Sequence, residues 1–529
     1  MSANQQLLQK AINLHEADRL REAFRAYRIA LCEFRNGVDK QYEAYTLDQI
    51  GEVLQALGYY KRSLPFHRKA IKIAEMLDDL EIQASASANI GMAYYLRNQF
   101  YEAELWFKSS KSHYKNLRNP QQLAIQYNNM GLVYSAKNDF KQATAYFKKA
   151  LRIFKKQDEP LEQAYTLQFL ANTYRLAGYL EKGEILTKQS LKLQIKQNNP
   201  GGIAECYSLL GGISFLQDQH HLAEEQFLSA LNAVKDLHAP LHKQHIFTNL
   251  ANVYIALNRL DDASNLLDNA LELSRFVNNQ YEKAHVLDLY GLVMRELGDY
   301  YDAINSFEES LTIREEIGIP DDIELSLYNI ATTYNRSDQL SLAEQYFLES
   351  IKICEKYGFE NDHASSLTAL GVVYDKMKNF DKSRDCHEKA IMFFTKTKDH
   401  EGLWAAYSNL GNLFELGLND IPMASNYYQL SIENLMHVRN KMSIDFRVPY
   451  VKNKIDVFNQ LIAIYVAKNE FTNAFKFLEL SKSRAMTELM DEKQLPKKNR
   501  SNSVSSCISG DSISTIKRIY NTLVADVSF

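Results

Sequence analysis

A forty-residue period constrains this chain more than any single motif in it. Stepping from Ala11 lands in turn on Gly51, Gly91, Gly131, Ala171, Gly211, Ala251, Gly291, Ala331, Gly371 and Gly411, so all eleven positions hold Gly or Ala. A second small column runs Ala23, Ser63, Ala103, Ala143, Gly183, Ala223, Ala263, Ala303, Ala343, Ser383. A third runs Ala30, Ala70, Ser110, Ala150, Ser190, Ala230, Ala270, Ser310, Ser350, Ala390. Between these two lies a large column of Tyr27, Phe107, Phe147, Phe227, Leu267, Phe307 and Phe347, with His67, Thr187 and His387 as departures. Small residues let helix backbones approach, and large ones fill the space between layers. Self-similarity at such a period marks a stack of supersecondary units, each burying its apolar face against its neighbours.

Each repeat reads as two antiparallel helices. Over 121–160, Leu123, Tyr127, Met130 and Tyr134 follow helical spacing, as do Ala143, Phe147, Ala150 and Ile153. A turn column separates the halves: Asp18, Gly58, Asn98, Asn138, Gly178, Asp218, Asn258, Gly298 and Asp338. Gly, Asn and Asp tolerate a left-handed helix terminus best. Five of the nine prolines, Pro120, Pro160, Pro200, Pro240 and Pro320, share one phase, where each would open a helix at its first turn. The expected fold is all-α. Second helices of neighbouring repeats are expected to pack on Gly131 and Gly371, leaving no room there for a larger side chain.

The run Tyr127, Met130-Gly131, Tyr134, Ala143, Phe147, Ala150 resembles the tetratricopeptide repeat, whose pattern is large, Leu-Gly, Tyr, then Ala, Phe, Ala. The family's usual period is about 34 residues. The longer period here is similar to the arrays of kinesin light chain, of Pins-type adaptors and of bacterial sensor proteins. One departure is the first large position, typically Trp in the family and here Leu7, Leu47, Tyr127, Leu167, Tyr207, Phe247, Leu287 and Leu327. The resemblance implies a right-handed superhelical solenoid of about twelve helix-turn-helix repeats. Eleven would occupy 3–440, a twelfth repeat and an exit helix 441–490, and a Ser-rich flexible tail 491–529. In the eleventh repeat the second helix arrives one residue late, at Ala424, Tyr428 and Ser431, with the insertion in 417–422. The twelfth follows a longer connection around 446–449 and reads Leu461, Tyr465, Asn469, Ala474, Leu478, Ser481.

In this family the first helix of each pair lines the concave wall, so residues beside the Gly/Ala column are expected to meet a ligand. That column is Gln9, Gln49, Asn89, Asn129, Phe169, Leu209, Asn249, Leu289, Asn329, Ala369, Asn409, of which seven are carboxamides. The adjacent column adds Asp48, Asn128, Gln168, Ser208, Thr248, Asp288, Thr368 and Ser408, and one turn on come Asn172, Asn252 and Asn412. A carboxamide both donates and accepts, so a ladder of them can read the backbone of an extended peptide. Arg175 and Arg295 stand isolated at comparable phase, with Arg336 and Lys376 one residue off. Near-absence of lysine sets these columns apart from relatives that clamp an acidic chaperone tail. The expected function is therefore a protein-interaction scaffold holding a peptide or helix of a partner protein. Its candidate groove residues are Asn89, Asn128, Asn129, Asn172, Arg175, Asn249, Asn252, Arg295, Asn329, Asn409 and Asn412.

Charge and motif content narrow the other classes. Lys+Arg 61 against Asp+Glu 65 gives a net charge of −4, which disfavours nucleic acid and anionic membrane as partners. No apolar run approaches the roughly 20 residues a membrane span needs. Residues 1–6 lack the blocks of a secretory signal, and Cys32, Cys206, Cys354, Cys386 and Cys507 are scattered, which suits a cytoplasmic chain. His238, His242 and His245 flank Pro240 without an acid or cysteine at ligand spacing, so no metal is expected. The phosphate-loop, dinucleotide, nucleophile-elbow and HExxH motifs are absent, so neither catalysis nor a cofactor is expected. Nothing in the columns fixes an oligomeric state. Residues 477–490 resemble the exit helix that joins such arrays to a caspase-like CHAT peptidase domain. The alternative reading is thus the regulatory arm of such a peptidase, truncated before its catalytic domain.

Overall fold

The computed structural model describes residues 3–17, 19–36, 39–237, 239–275, 280–441 and 454–481. Every regular element among them is helical, and contacts group the chain into two compact units divided between Leu297 and Gly298. In the first unit the helices used below are α3 (Lys40–Ala56), α4 (Tyr60–Met76), α5 (Leu80–Tyr95), α6 (Phe100–Asn116), α7 (Pro120–Ala136) and α8 (Phe140–Gln157). It continues through α9 (Pro160–Leu176), α11 (Pro200–Leu216) and α13 (Pro240–Ala256) to α15 (Gln280–Leu297). The second unit includes α17 (Pro320–Arg336), α19 (Glu360–Lys376), α20 (Phe380–Thr397), α21 (His400–Asn412), α22 (Ile421–Lys441), α23 (Asp456–Ala467) and α24 (Phe471–Ser481). Odd-numbered helices up to α23 are the first of each hairpin.

Local chemistry sets the helix boundaries. The five in-phase prolines open α7, α9, α11, α13 and α17, where a missing N–H costs nothing. The turn column is left-handed throughout its described members, from Gly58 at φ +81° and Asn98 at +57° to Asp338 at +61°. Asp18 lies outside the described residues. These turns close with the amide of Tyr59 on the carbonyl of Leu54 at 2.7 Å, and of Asp139 on Tyr134 at 2.9 Å. A second left-handed column, half a period away, was not apparent in the sequence because its residue types vary: Asp78, Arg118, Asp158, Asn198, Gly318, Gly358 and Lys398.

The Gly/Ala column is the seam of each hairpin. A Cβ on Gly131 would fall 2.6 Å from the Phe147 ring, and one on Gly371 2.5 Å from the His387 ring. The crowding ring comes from the same hairpin, sixteen residues on, and not from a neighbouring repeat's second helix as expected. An antiparallel hairpin places those two positions face to face, so the seam closes within the repeat. Gly411 obeys the same rule one residue late, against Tyr428. The extra residue is taken up by a π-helical turn at Leu413–Gly417, closed by the Leu418 amide on the Leu413 carbonyl at 3.0 Å.

Repeats are tied to each other by polar clasps as well as by apolar packing. Tyr134 donates to Glu104 on α6 at 2.8 Å while Lys137 reaches its other oxygen at 2.6 Å. Tyr374 and Glu344 repeat the bond at 2.7 Å in the second unit. Phe477 to Ser481 of the expected exit helix form the end of α24. The remainder of that helix, the connection at 446–449, the Ser-rich tail with Cys507, and His238 lie outside the described residues.

Two outcomes test this account. Gly131→Leu should cost about 1–3 kcal/mol through overpacking. Hydrogen exchange should loosen only in α7, α8 and the helices touching them, whereas uniform loosening along the unit would contradict nearest-neighbour stability. Lys398, held at φ +59° at the end of α20, should gain about 0.5–1 kcal/mol on replacement by glycine. A thermal midpoint that falls instead would show the lysine side chain to be structural.

Candidate functional site

Within each unit, consecutive first helices pack side by side: α3 on α5, α7 on α9, α11 on α13, and α17 on α19. Second helices of successive repeats approach one another far less. The first helices therefore form a wall within each unit, and the sequence-expected site residues all sit on first helices.

The structure splits those residues into two sets. Asn128, 4% exposed, donates to Thr166 Oγ1 at 2.9 Å and so links α7 to α9. Gln168 continues this link, donating to the Gly202 carbonyl at 3.0 Å. Asn89 donates to both Asp48 oxygens at 3.3 Å, and Asn129 bonds Gln126 within its own helix at 3.2 Å. Asn412 accepts from Tyr428 and Gln460, each at 2.8 Å, and Asn172 accepts from Arg175 Nε at 3.0 Å. By contrast, the side chains of Asn249, Asn252, Asn329 and Asn409 have no hydrogen-bond partner among the described residues. Asn249 is exposed, Asn252 and Asn409 are half-buried, and Asn329 is buried. Adjacent positions on a helix differ by about 100° in direction. The split nevertheless cuts across the columns: Asn89 and Asn129 share a register position with Asn249, Asn329 and Asn409, so the partners available at each repeat, which the sequence pattern leaves undetermined, decide which carboxamides are tied.

Around α3 the wall carries a charged network. His67, fully buried, holds Nδ1 2.6 Å from Asp48 Oδ1, and Ser85 donates to Asp48 Oδ2 at 2.8 Å. Gln55 Nε2 lies 2.8 Å from His67 Nε2 and donates to the Asn89 carbonyl at 2.8 Å. His67 thus stands in the aromatic column because its ring fills the seam and also hydrogen-bonds a buried aspartate. One turn from Asp48, Glu52 is pushed above the usual carboxylate range by burial and then by the Asp48 charge.

The cations differ from one another. Arg175 is half-buried, and no carboxylate among the described residues pairs with it; burial alone pulls its guanidinium below the ordinary value. Arg295 lies 3.8 Å from Glu296. Lys376 donates to the Asn335 carbonyl at 2.8 Å. The junction histidines do have acidic partners: His242 Nε2 is 3.4 Å from Glu205, and His245 Nε2 is 3.5 Å from Glu282. Both partners come from adjoining first helices 37 residues away, which a search along the chain at ligand spacing does not reach. No group of three or more His, Cys, Asp or Glu among the described residues is placed to hold a metal ion. Cys206, Cys354 and Cys386 are buried as expected, and burial pushes the Cys354 thiol to about 12 and the Cys386 thiol to about 11. No helix among the described residues is long and apolar enough to cross a membrane.

Family models described as tetratricopeptide repeat match residues 44–77, 81–156, 244–316 and 322–396. No curated protein matches the chain in sequence. Among solved structures, the apo form of RapI is similar at 16% identity and a TM-score of 0.51, covering 70% of this chain and 99% of that one. The apo quorum sensor NprR from B. thuringiensis follows at 14% identity and 0.45, with 66% and 98% covered. A signal transduction ATPase with a tetratricopeptide repeat sensor, from Pyrococcus horikoshii, gives 15% and 0.43, with 66% and 54% covered. At these identities the likeness concerns the fold alone.

Glu52 yields a pH test. A carboxylate whose folded pKa exceeds its unfolded one destabilises the fold when ionised, and the penalty vanishes once both states are protonated. Glu52→Gln should therefore raise stability at neutral pH, and the gain should shrink as pH falls through the folded pKa towards 4.5. Urea midpoints of both proteins across that range give the answer. A gain that grows on acidification would reverse the assignment.

Proposed function

The chain is a tetratricopeptide-repeat array, and from that premise we propose that it is a non-catalytic scaffold holding a peptide or helix of another protein on the wall of first helices within a unit. The observation that carries this reading is the set of four untied carboxamides: Asn249 and Asn252 in the first unit, Asn329 and Asn409 in the second. Donors and acceptors unmet by their own fold are free to meet the N–H and C=O groups of an incoming strand or helix end. Asn89, Asn128 and Asn412 are already engaged by neighbouring helices, so they bring rigidity to the wall. A preformed wall lowers the ordering cost that association would otherwise carry.

The test combines Asn249→Ala with Asn409→Ala, both residues lacking structural bonds. Captured from lysate, the native chain should retain a defined set of proteins that the double variant loses, with thermal midpoints within a few degrees of each other. Identical sets on the native and variant chains would reject the wall as the binding surface.

A further inference from the structure

The carboxamide column breaks at the fifth and sixth repeats, where Phe169 and Leu209 take its place. The structure gives that break its own chemistry. On α9, Asn172, Arg175 and Leu176 lie at i, i+3 and i+4, hence on one face. Next to them on α11, Gly212 leaves the wall bare: a Cβ added there meets nothing within 4 Å. On α13 the same position is Asn252, so an empty stretch of wall is flanked by two carboxamides. Leu176 and Leu216, at 49% and 51% exposed, form an apolar shelf at the ends of α9 and α11. At one edge sits Arg175, with Nε on Asn172 and its terminal nitrogens without an acceptor among the described residues.

A half-buried guanidinium with no counter-charge is expensive to hold away from water. The negative end of α9 helps to hold it, since Arg175 lies in the last helical turn. The dipole does not supply the two planar acceptors that a guanidinium fork is shaped to take. Gly212 sits mid-helix, where glycine is a poor helix former and no turn or close contact requires it. Open space at the bare position and an unmet cation beside it point to the same occupant.

We propose that the bound segment anchors a carboxylate on Arg175, seats an adjacent apolar side chain on Leu176 and Leu216, and runs its backbone over Gly212 between Asn172 and Asn252. This rests on the wall being the binding surface, and it names the ligand class: a peptide with an acidic group beside an apolar residue. The carboxylate can come from a Glu or Asp side chain or from a free C-terminus.

The experiment uses the full chain and three pools of randomised octapeptides. The first pool fixes a central Glu-Leu and is amidated. The second replaces that Glu by Gln, and the third is the second with a free C-terminus. Retention is read by mass spectrometry after equilibrium selection. One of the two carboxylate pools should exceed the amidated Gln pool by roughly tenfold, the size of one well-made charged contact, and which one does so identifies the source. Arg175→Gln should remove the preference, and raised salt should weaken it. Gly212→Leu should abolish retention of every pool while the thermal midpoint holds or rises, since the new side chain fills only the open space. Equal retention of all pools by the native chain, or undiminished retention by Gly212→Leu, would overturn the anchor while leaving the wall as binding surface intact. Retention of no pool would also overturn it, and the wall would then stand or fall on the Asn249 and Asn409 capture.

Discussion

The regularity of this array rests on a ring pressed against a bare helix backbone inside the hairpins of Gly51, Gly91, Gly131, Gly211, Gly371 and Gly411. Phe107 on Gly91, Phe147 on Gly131 and Phe227 on Gly211 fix the separation of the paired helices, because no larger side chain fits at the contact. With that distance fixed, the hairpin is a rigid block of nearly constant shape. Blocks of constant shape stack regularly, so the first helices fall side by side along the wall. His67 and His387 occupy the same seam at the same closeness, so the position takes a flat ring whether that ring is apolar or polar.

Stacking adds a second layer of constraint. Where hairpins meet, buried polar groups reach across: Ser85 to Asp48, Asn128 to Thr166, Gln168 to the Gly202 carbonyl, and Ser366 to Glu324 at 3.3 Å. A buried polar group left unmet is costly, and a met one accepts only one register. These junctions thus specify which repeat sits on which, a task that repeated apolar faces perform poorly because they all look alike. Burial raises the Glu324 carboxyl as it does Glu52, so the same junctions store charge that the fold tolerates rather than favours.

The proposed binding surface is what remains after those ties are made. Asn89, Asn128 and Asn412 are engaged by the frame, whereas Asn249, Asn252, Asn329 and Asn409 are not. Arg175 belongs with the second set, because its one bond uses Nε and leaves the fork open. The same register positions are thus engaged in some repeats and left open in others, according to which partners the neighbouring helices present.

The sequence by itself determined the period, the hairpin in each repeat, the prolines that open helices and the left-handed turns at Gly58, Asn98 and Asn138. Each of these follows from a residue's own backbone preferences or from spacing along one helix, both of which are local. It also located the irregular eleventh repeat, though not that a π-helical turn at 413–417 absorbs its extra residue. Tertiary structure alone decided which ring crowds which glycine, that Glu205 and Glu282 reach His242 and His245, and that Asn128 serves a neighbour while Asn249 serves none. Those outcomes depend on distances between segments about forty residues apart and on the rotation of each helix about its axis. A repeat pattern fixes neither, because it reports which positions are equivalent and not which of them are turned toward each other.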